Sequence, residues 1–465
     1  MSLTRRRFLA AGVSLAGGGI GGQSPPLPDR ISSSGGLLET ALEARRDLAE
    51  LLPGLRRGNV YSFSGRVPGP ILEARPGDTL RIRFTNSLPE PTNVHWHGLH
   101  VSPDNFADNV FLEIEPGETL TYEFRIPVGH PAGAFWYHPH LHGRTARQLG
   151  GGMAGRIIVR GDLDEIPEIA DAVEHYLVLK DFGIYPDATV SAGPTLTCNG
   201  AVNPRLALPQ GGLLRLRLLN ASIDLYFRLR LENHPWYLMA TDGGGIPEPI
   251  ELTELLISPG ERAEVLIRGE RPPAAYRLLN FAWEGQGMAG MPGMTSGDPG
   301  SPVCNIAYEG RADREIPLPA RLIDVIPLPP PTLPLRALEF RSSDLSFLIN
   351  GRPFDHERID TRVKLNTTED WEIINADQMD HPVHLHTNFF QILDPGGEPR
   401  RAWSDIMNVR GGTRRRFRVR FTDYPGRTVY HCHRVAHGDL GIMGVIEMEP
   451  NRPPPARRRQ QVKAP

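Results

Sequence analysis

The chain has 465 residues, and its 51 lysines and arginines nearly balance 54 aspartates and glutamates, which leaves a formal net charge of −3. Nucleic-acid-binding chains normally carry a basic excess, so this balance excludes nucleic acid as the main partner. The length fits roughly three domains, the 49 glycines and 45 prolines favour turn-rich β structure, and three cysteines exclude a disulfide scaffold.

The first residues are predicted to form an export signal rather than part of a folded domain. Arg5 and Arg6 precede Phe8-Leu9 and a Gly-rich apolar stretch, which is typical of a twin-arginine export signal. We therefore expect the export machinery for such signals as a partner and a periplasmic or extracellular location, and we treat residues 1–45 as a flexible leader outside the fold. Beyond the N-terminus no run of about 18 apolar residues occurs, so no membrane span is expected.

A degenerate pattern follows three times: an Asn-Gly or Ser-Gly turn, a proline, an alternating strand and then an asparagine. The turn glycines are Gly65, Gly200 and Gly351, and residues 214–217 (Leu-Arg-Leu-Arg) show the period of two of a half-buried strand. Three similar all-β units are thus predicted as repeated sandwiches. The predicted divisions are a first domain over 46–165, a second over 166–315, a Pro-rich linker over 316–336, a third domain over 337–450 and a disordered basic tail over 451–465.

Four segments of the form His-x-His stand in the first and third units. Side chains at i and i+2 of a strand point to one face, so each segment presents two imidazoles together. Packing of an apolar core does not explain eight such imidazoles, because each buried imidazole needs hydrogen-bond partners. Metal binding does explain them, since imidazole suits copper, zinc, iron and nickel. Several metal ions are therefore predicted at an interface between the two units, on His95 and His97, His138 and His140, His384 and His386, and His431 and His433.

Cys432 lies between His431 and His433 and therefore points to the opposite face of their strand. With His381 and His437 it matches the cysteine and two histidines of a blue-copper site, where a thiolate makes electron transfer natural. The backbone of Cys432 then links this site to two imidazoles of the other face. Zinc is the alternative for the same donors, but it has no redox chemistry and needs no such link.

In these segments the chain resembles the multicopper oxidases, the laccase-like bacterial oxidases with three cupredoxin domains, and the motifs keep their order across most of residues 50–450. The resemblance implies an all-β fold of three cupredoxin-like Greek-key sandwiches, four copper ions, and one-electron oxidation of a substrate coupled to reduction of O₂ to water. It implies a type 1 copper on His381, Cys432 and His437, a type 2 copper on His95 and His384, and a type 3 pair on His97, His138, His140, His386, His431 and His433. His142 offers an alternative register to His140, although the family pattern favours His140.

Two positions depart from the family pattern. Many bacterial relatives carry an axial methionine ten residues after the cysteine, but here that position is Ile442 and the next residue is Met443. Either Ile442 faces the type 1 copper, which we favour and which should raise its potential, or a bulge brings Met443 in. Gly438 stands where relatives often place a carboxylate on the proton route, so Asp439 or Asp108 is expected to take that role.

Two acidic residues and a methionine-containing loop have less specific signals. Asp108 resembles the acidic residue near type 2 copper in the family, and it is either a proton relay or an ordinary turn residue. Asp405 is expected to contact substrate, or groups that support the ligands, near the type 1 copper. A Gly- and Pro-rich loop either contacts Cu(I), which thioethers select, or tolerates its methionines without a ligand: Met288, Met291 and Met294.

The second unit also carries Cys198 and Cys304, which either pair after export or stay as buried thiols. The predicted function is an exported multicopper oxidase that reduces O₂ and oxidises a phenol, another organic donor or Cu(I). The alternative is an exported copper carrier or structural envelope protein that has the same fold without oxidase turnover.

Overall fold

The computed structural model describes residues 29–49, 58–286, 299–343 and 346–450. Six sheets form three two-sheet sandwiches in chain order, which confirms the predicted all-β fold of three cupredoxin-like domains. Each sandwich encloses its own apolar core around a buried tryptophan: Trp96, Trp236 and Trp371. The predicted arginine pair Arg5-Arg6, the three methionines Met288, Met291 and Met294, and the tail 451–465 lie outside the described residues.

The first domain combines two four-stranded sheets, in the orders β1-β4-β8-β7 and β3-β2-β5-β6. Its described elements are β1 (Arg30–Ser32), β2 (Leu37–Ala49), β3 (Gly58–Phe63), β4 (Ile71–Ala74), β5 (Thr79–Asn86), β6 (Thr119–Arg125), β7 (Gly133–Tyr137), α1 (Thr145–Gly150) and β8 (Gly155–Val159).

The second domain combines a six-stranded sheet, β10-β9-β12-β17-β14-β15, with a five-stranded sheet, β11-β19-β18-β13-β16. Its described elements are α2 (Pro167–Ala170), β9 (Val173–Ile184), β10 (Val190–Cys198), β11 (Arg205–Gln210), β12 (Leu213–Asn220), β13 (Phe227–Leu231), β14 (Trp236–Thr241), β15 (Gly244–Leu252), β16 (Leu255–Ile257), β17 (Arg262–Arg268), β18 (Ala275–Phe281) and β19 (Ser301–Arg311).

The third domain has two five-stranded sheets, β21-β20-β23-β27-β25 and β22-β29-β28-β24-β26. Its described elements are β20 (Arg336–Ser343), β21 (Ser346–Ile349), β22 (Thr361–Lys364), β23 (Thr367–Asn375), β24 (His381–Leu385), β25 (Phe390–Ile392), β26 (Ile406–Val409), β27 (Arg414–Phe421), β28 (Gly426–Cys432), α3 (Val435–Leu440) and β29 (Met443–Glu449). A search of the described residues for a helix long and apolar enough to cross a bilayer found none.

The sequence repeat corresponds to the same local structure in each domain. The three predicted turns each have two consecutive residues with positive φ, the geometry of a type I′ hairpin turn. Asn86, Asn220 and Asn375 are each buried at a strand end, where each side chain donates to two main-chain carbonyls and accepts from the N–H two residues later. An asparagine amide satisfies this set of partners and an apolar residue would leave them unpaired, which explains why the asparagine recurs.

The expectation that residues up to 45 lie outside the fold is wrong for residues 30–45. Strand β2 pairs with β3 on one side and runs parallel to β5 on the other, with Leu37 opposite Thr79. Its Leu38 and Leu42 are buried in the first core. The corresponding strands of the other domains, β9 and β20, run parallel to β12 and β23 in the same way. The first domain therefore needs this strand to complete the same sheet pattern.

The predicted linker lies against the second domain. Between β19 and β20 no strand occurs, and Ile316, Leu322 and Ile323 pack against a cluster that includes Leu213 and Met239 of the second domain. The chain therefore passes to the third domain along the surface of the second, although the domain boundaries remain predictions.

His130 lies in the loop between β6 and β7, where the first domain meets the third. Its ring contacts Phe135 of its own domain and Phe389 of the third, with centroid distances of 5.0 and 5.7 Å. The Nδ1 atom lies 3.0 Å from the Pro131 carbonyl, and Nε2 accepts from the His100 N–H. Burial lowers the pKa of His130 to about 3.

We expect this histidine to make the protein less stable in acid. Its pKa falls from about 6.5 in the unfolded chain to about 3 in the fold, so protons bind the unfolded chain preferentially as pH drops below 6.5. Between pH 7 and pH 5 this difference removes about 2 kcal/mol from the free energy of unfolding. Between pH 7 and pH 5 the free energy of unfolding of His130→Phe, measured with denaturant, should therefore fall by about 2 kcal/mol less than that of wild type. Equal falls in the two proteins would contradict a lowered pKa of His130 as the cause.

Candidate metal centre

Antiparallel contacts in the first and third domains bring the four His-x-His segments together. In the third domain β24 pairs with β28, and His384 stands opposite His431. In the first domain an isolated bridge places His95 opposite His138, just after β7. Each domain therefore presents two segments side by side, as the alternation of strand side chains requires.

The two domains direct these imidazoles into one pocket. Across the domain interface, the Nε2 atoms of His95 and His384 are 3.4 Å apart, and those of His140 and His431 are 3.0 Å apart. The ring of His97 stacks on that of His384 at 3.9 Å. We call this group the histidine cluster; all of its members are buried: His95, His97, His138, His140, His384, His386, His431 and His433.

Hydrogen bonds behind the rings fix which nitrogen faces the cluster. The Nδ1 atom of His95 lies 2.8 Å from a carboxylate oxygen of Asp108, and that of His384 lies 2.8 Å from the Asp405 carbonyl. An Nδ1–H that donates there leaves the Nε2 lone pair free. The Nδ1 atoms of His138 and His431 face main-chain carbonyls in the same way. Lone pairs consequently converge in the pocket.

These nitrogens fit metal ions better than protons. Burial, together with repulsion between neighbouring imidazoles, holds the pKa of most cluster histidines well below 6.5, and burial lowers that of His431 to about 4. In the described chain both ring nitrogens of His433 lack a hydrogen-bond partner although the side chain is buried. Converging neutral imidazoles form a donor set that suits copper, zinc, iron and nickel.

Several groups of three donor atoms lie within 4.8 Å of one another, which is close enough to share an ion. Within the cluster these groups are His95, His97 and His138; His95, His384 and His386; and His140, His386 and His431; a further group adds Asp405 to His97 and His384.

A second donor set lies behind the cluster, and we call it the thiol site: His381, Cys432 and His437. The sulfur of Cys432 is 3.2 Å from His381 Nδ1 and 3.8 Å from His437 Nδ1. The short helix α3 returns His437 to the strand end, and His381 Nε2 lies 2.7 Å from Asp377, which turns Nδ1 towards the sulfur. Burial raises the pKa of the Cys432 thiol to about 12, so a thiolate here needs a cation.

The two candidate axial residues lie on different sides of this strand region. Ile442 is fully buried in the third core together with Cys432, and its main-chain carbonyl accepts from the Cys432 N–H. Met443 instead lines a small cavity with His138, His140 and His431, on the side of the histidine cluster.

The two candidate carboxylates also occupy different places. Asp108 accepts from the Trp96 N–H at 2.8 Å as well as contacting His95, and burial raises its pKa to about 7. Asp439 lines the same small cavity as Met443, but its two oxygens accept from the N–H groups of Gly143 and Ala146. Burial raises the pKa of Asp439 as well.

Some sequence expectations need correction or completion. Asp405 was expected near the thiol site, but its carboxylate lies 3.3 Å from His97 Nε2 in the histidine cluster. His142 stays out of the cluster and contacts Phe354, whereas His140 joins it. No sequence pattern points to Arg262, a buried arginine of the second domain that binds Asp405.

The second domain contributes no histidine to either donor set among its described residues. Its Cys198 and Cys304 are free, buried thiols, and the hydrogen bond between them together with burial raises the pKa of Cys304. Of the two alternatives for these cysteines, a disulfide or two buried thiols, the structure has the buried thiols.

Comparisons with known proteins agree with this arrangement. The chain is 27% identical over 445 residues to multicopper oxidase mco of Staphylococcus aureus, covering 91% of each protein. It is 28% identical over 463 residues to cell division protein FtsP of Escherichia coli (strain K12), covering 88% of this chain and 91% of FtsP. The solved structure of a multicopper oxidase from Campylobacter jejuni, described as a metallo-oxidase, gives a TM-score of 0.79 at 29% identity and covers 92% of this chain and 94% of that one.

Family models described as multicopper oxidase match residues 50–164, 170–291 and 326–452. The three matches follow one another along the chain and together cover most of it. They show that this chain belongs to the multicopper oxidase family.

Proposed function

We propose that the protein is an oxidase that couples one-electron oxidation of a reducing substrate to four-electron reduction of O₂. Family membership implies copper, O₂ and a reducing substrate, and the coupling between them is our proposal. The observation that supports it is the pocket of eight buried imidazoles, with Cys432 joined through the backbone to His431 and His433. In the balanced reaction four donors lose one electron each, and O₂ takes four electrons and four protons to give two waters.

We assign three kinds of copper to the donor sets. Copper supplies the redox chemistry when bound, because it accepts and passes on single electrons. Cys432 offers the covalent route between the two sets, since its own backbone carries the neighbouring ligands. The assigned ligands are His381, Cys432 and His437 for type 1; His95 and His384 for type 2; and His97, His138, His140, His386, His431 and His433 for the type 3 pair.

The experiment that tests this function compares two buried cysteines. Cys432→Ser should lose the blue absorbance band and O₂ uptake, because the serine oxygen is a poor substitute for thiolate. Cys198→Ser, in the core of the second domain, should keep both. Wild type should hold about four copper ions per chain and consume one O₂ for every four donor electrons. Copper binding without O₂ uptake would overturn the oxidase.

Ile442 is our choice for the axial position of type 1, because it shares the core that surrounds Cys432. An isoleucine cannot coordinate, and a site with three ligands favours the reduced copper and so a higher potential. Met443 is the alternative, although it packs beside the histidine cluster.

Ile442→Met should therefore lower the type 1 potential, because a thioether sulfur becomes available at the axial position. Redox titration of the blue band measures this change. Ile446→Met, at another fully buried position of the same core, is the matched control and should leave the potential unchanged. The same potential in wild type and Ile442→Met would show that residue 442 does not face the copper.

Asp108 is our choice for holding a proton during O₂ reduction. Its carboxylate lies 2.8 Å from His95 Nδ1 and 4.0 Å from His386 Nδ1, so it stands beside one ligand that we assign to type 2 and one that we assign to type 3. Asp439 is the alternative, but two main-chain N–H groups already occupy its oxygens. A carboxylate at this position can pass protons where water has little access.

Asp108→Asn should slow reoxidation of the reduced protein by O₂ about 100-fold, the usual contribution of a positioned proton-transfer group. Stopped-flow measurement of reoxidation gives this rate, and an unchanged blue band controls for the type 1 site. Asp439→Asn should have the smaller effect. If reoxidation is slower in Asp439→Asn than in Asp108→Asn, Asp439 and not Asp108 is the residue that transfers the proton.

The alternative function is an exported copper-binding or structural protein without turnover. The likeness to FtsP favours it, because that relative is named for cell division rather than for oxidation. The complete donor sets favour the oxidase instead, since a protein that has lost turnover has no need to keep eleven buried ligands.

The donor and the location are further parts of the proposal. We propose a phenol, another organic donor or Cu(I) as the reductant, with Met288, Met291 and Met294 as the candidate Cu(I) contacts. We also propose export through the twin-arginine route, on the strength of Arg5-Arg6 and the apolar stretch that follows.

A further inference from the structure

The second domain provides no metal-binding histidine in its described residues, yet one of its side chains reaches the histidine cluster. Arg262 is the first residue of β17 and is only 3% exposed. A buried guanidinium is costly unless its charge is paired and its N–H groups are satisfied. Its partners therefore indicate what it is for.

All five N–H groups of Arg262 have acceptors, and these come from all three domains. Two of them bind the Asp405 carboxylate side by side, at 2.7 and 2.5 Å. The others donate to the main-chain carbonyls of Ala134 in the first domain and of Asp242 and Gly260 in the second. A bidentate pair of this kind fixes the plane of the carboxylate as well as its position.

Asp405 in turn orients two cluster histidines, one from each outer domain. Its carboxylate lies 3.3 Å from His97 Nε2, and its main-chain carbonyl accepts from His384 Nδ1 at 2.8 Å. His97 Nδ1 consequently faces the cluster, 3.3 Å from His138 Nε2. His97 therefore turns Nδ1 towards the cluster and His384 turns Nε2 towards it, and Asp405 determines the orientation of both rings.

Two glycines beside Arg262, Asp405 and His433 leave no room for a side chain of their own. Gly98 has a φ of +84°, and a Cβ there would lie 2.5 Å from Arg262 Nη2 and 2.6 Å from Asp405 Oδ2. A Cβ on Gly260, whose φ is +85°, would lie 2.8 Å from the ring of His433. Glycine at these two positions permits the close approach of the arginine, the aspartate and the histidines.

We propose that Arg262 is a positioning residue for the type 2 and type 3 coppers, acting through Asp405. It holds the carboxylate so that His97 presents Nδ1 and His384 presents Nε2 to the metal ions. This inference rests on the proposed copper assignment and says what the second domain contributes to it. Without the guanidinium, Asp405 is left as an unpaired buried carboxylate and no longer holds His97.

The test compares Arg262→Gln and Arg262→Lys by the electron paramagnetic resonance spectrum of type 2 copper and by copper content, both measured on the resting, copper-loaded protein. Arg262→Gln should change the type 2 hyperfine splitting and bind cluster copper 10- to 100-fold more weakly, the usual effect of losing an outer partner of a ligand. Its blue band should persist, because the thiol site does not touch Arg262. Arg262→Lys keeps the charge and should be intermediate.

Arg217→Gln is the matched control, because Arg217 is an equally buried arginine of the second domain, and its carboxylate partners make no hydrogen bond or ion pair with a histidine of the cluster in the described chain: Asp164, Glu174 and Glu264. It should lower stability without changing the type 2 spectrum. Asp405→Asn should reproduce the effect of Arg262→Gln, and the double variant should be no worse than Asp405→Asn alone, because the arginine acts through the aspartate.

A wild-type type 2 spectrum and copper affinity in Arg262→Gln would overturn the inference; if that variant does not fold, a wild-type spectrum and affinity in Arg262→Lys would do so. Strictly additive losses in the double variant would also overturn it. Wild-type protein that shows both copper signals but no O₂ uptake would refute the proposed oxidase and leave this test intact.

Discussion

The antiparallel pairing of β24 with β28 is the contact on which both donor sets depend. Its register places His384 opposite His431 and Val383 opposite Cys432, so imidazoles occupy one face and the sulfur the other. A slip of one residue would exchange the faces and destroy both sets at once. The bridge between His95 and His138 repeats the arrangement in the first domain, and the interface then has only to bring two preformed halves together.

Desolvation gives the pocket its chemical character. Removing the imidazoles from water makes their protonation unfavourable, and carbonyl and carboxylate acceptors behind four of the rings hold the N–H away from the centre: His95, His138, His384 and His431. The fold therefore provides neutral lone pairs in fixed directions before any ion arrives. The same desolvation raises the pKa of the Cys432 thiol, because it disfavours the thiolate. Burial thus prepares the imidazoles for copper but opposes the charged form in which the sulfur binds it. Metal binding and deprotonation of that thiol are thus coupled.

Short-range spacing singles out the side chains that the fold brings together, because two side chains two residues apart in a strand must share a face wherever that strand lies; their metal ligation stays a prediction. The three sandwiches were also predictable, since the turn and the asparagine of each repeat make local bonds. The meeting of the outer two domains at the histidines was predicted as well, but the side chains that support those histidines from behind were not. Asp405 was expected beside the wrong donor set, and Arg262 belongs to a unit without any ligand motif, so only the packing of three domains reveals its place. Strand β2 was missed because it directly follows an apparent leader.

The position of β2 limits where the N-terminal part of the chain can be cut. This strand lies between β3 and β5 and is hydrogen-bonded to both, and β1 just before it pairs with β4. A peptidase that cut near residue 45 would remove the middle of one sheet and the edge of the other. An N-terminal truncation that keeps both sheets of the first domain has to stop before Arg30, and the cleavage site of a removable purification tag is subject to the same limit.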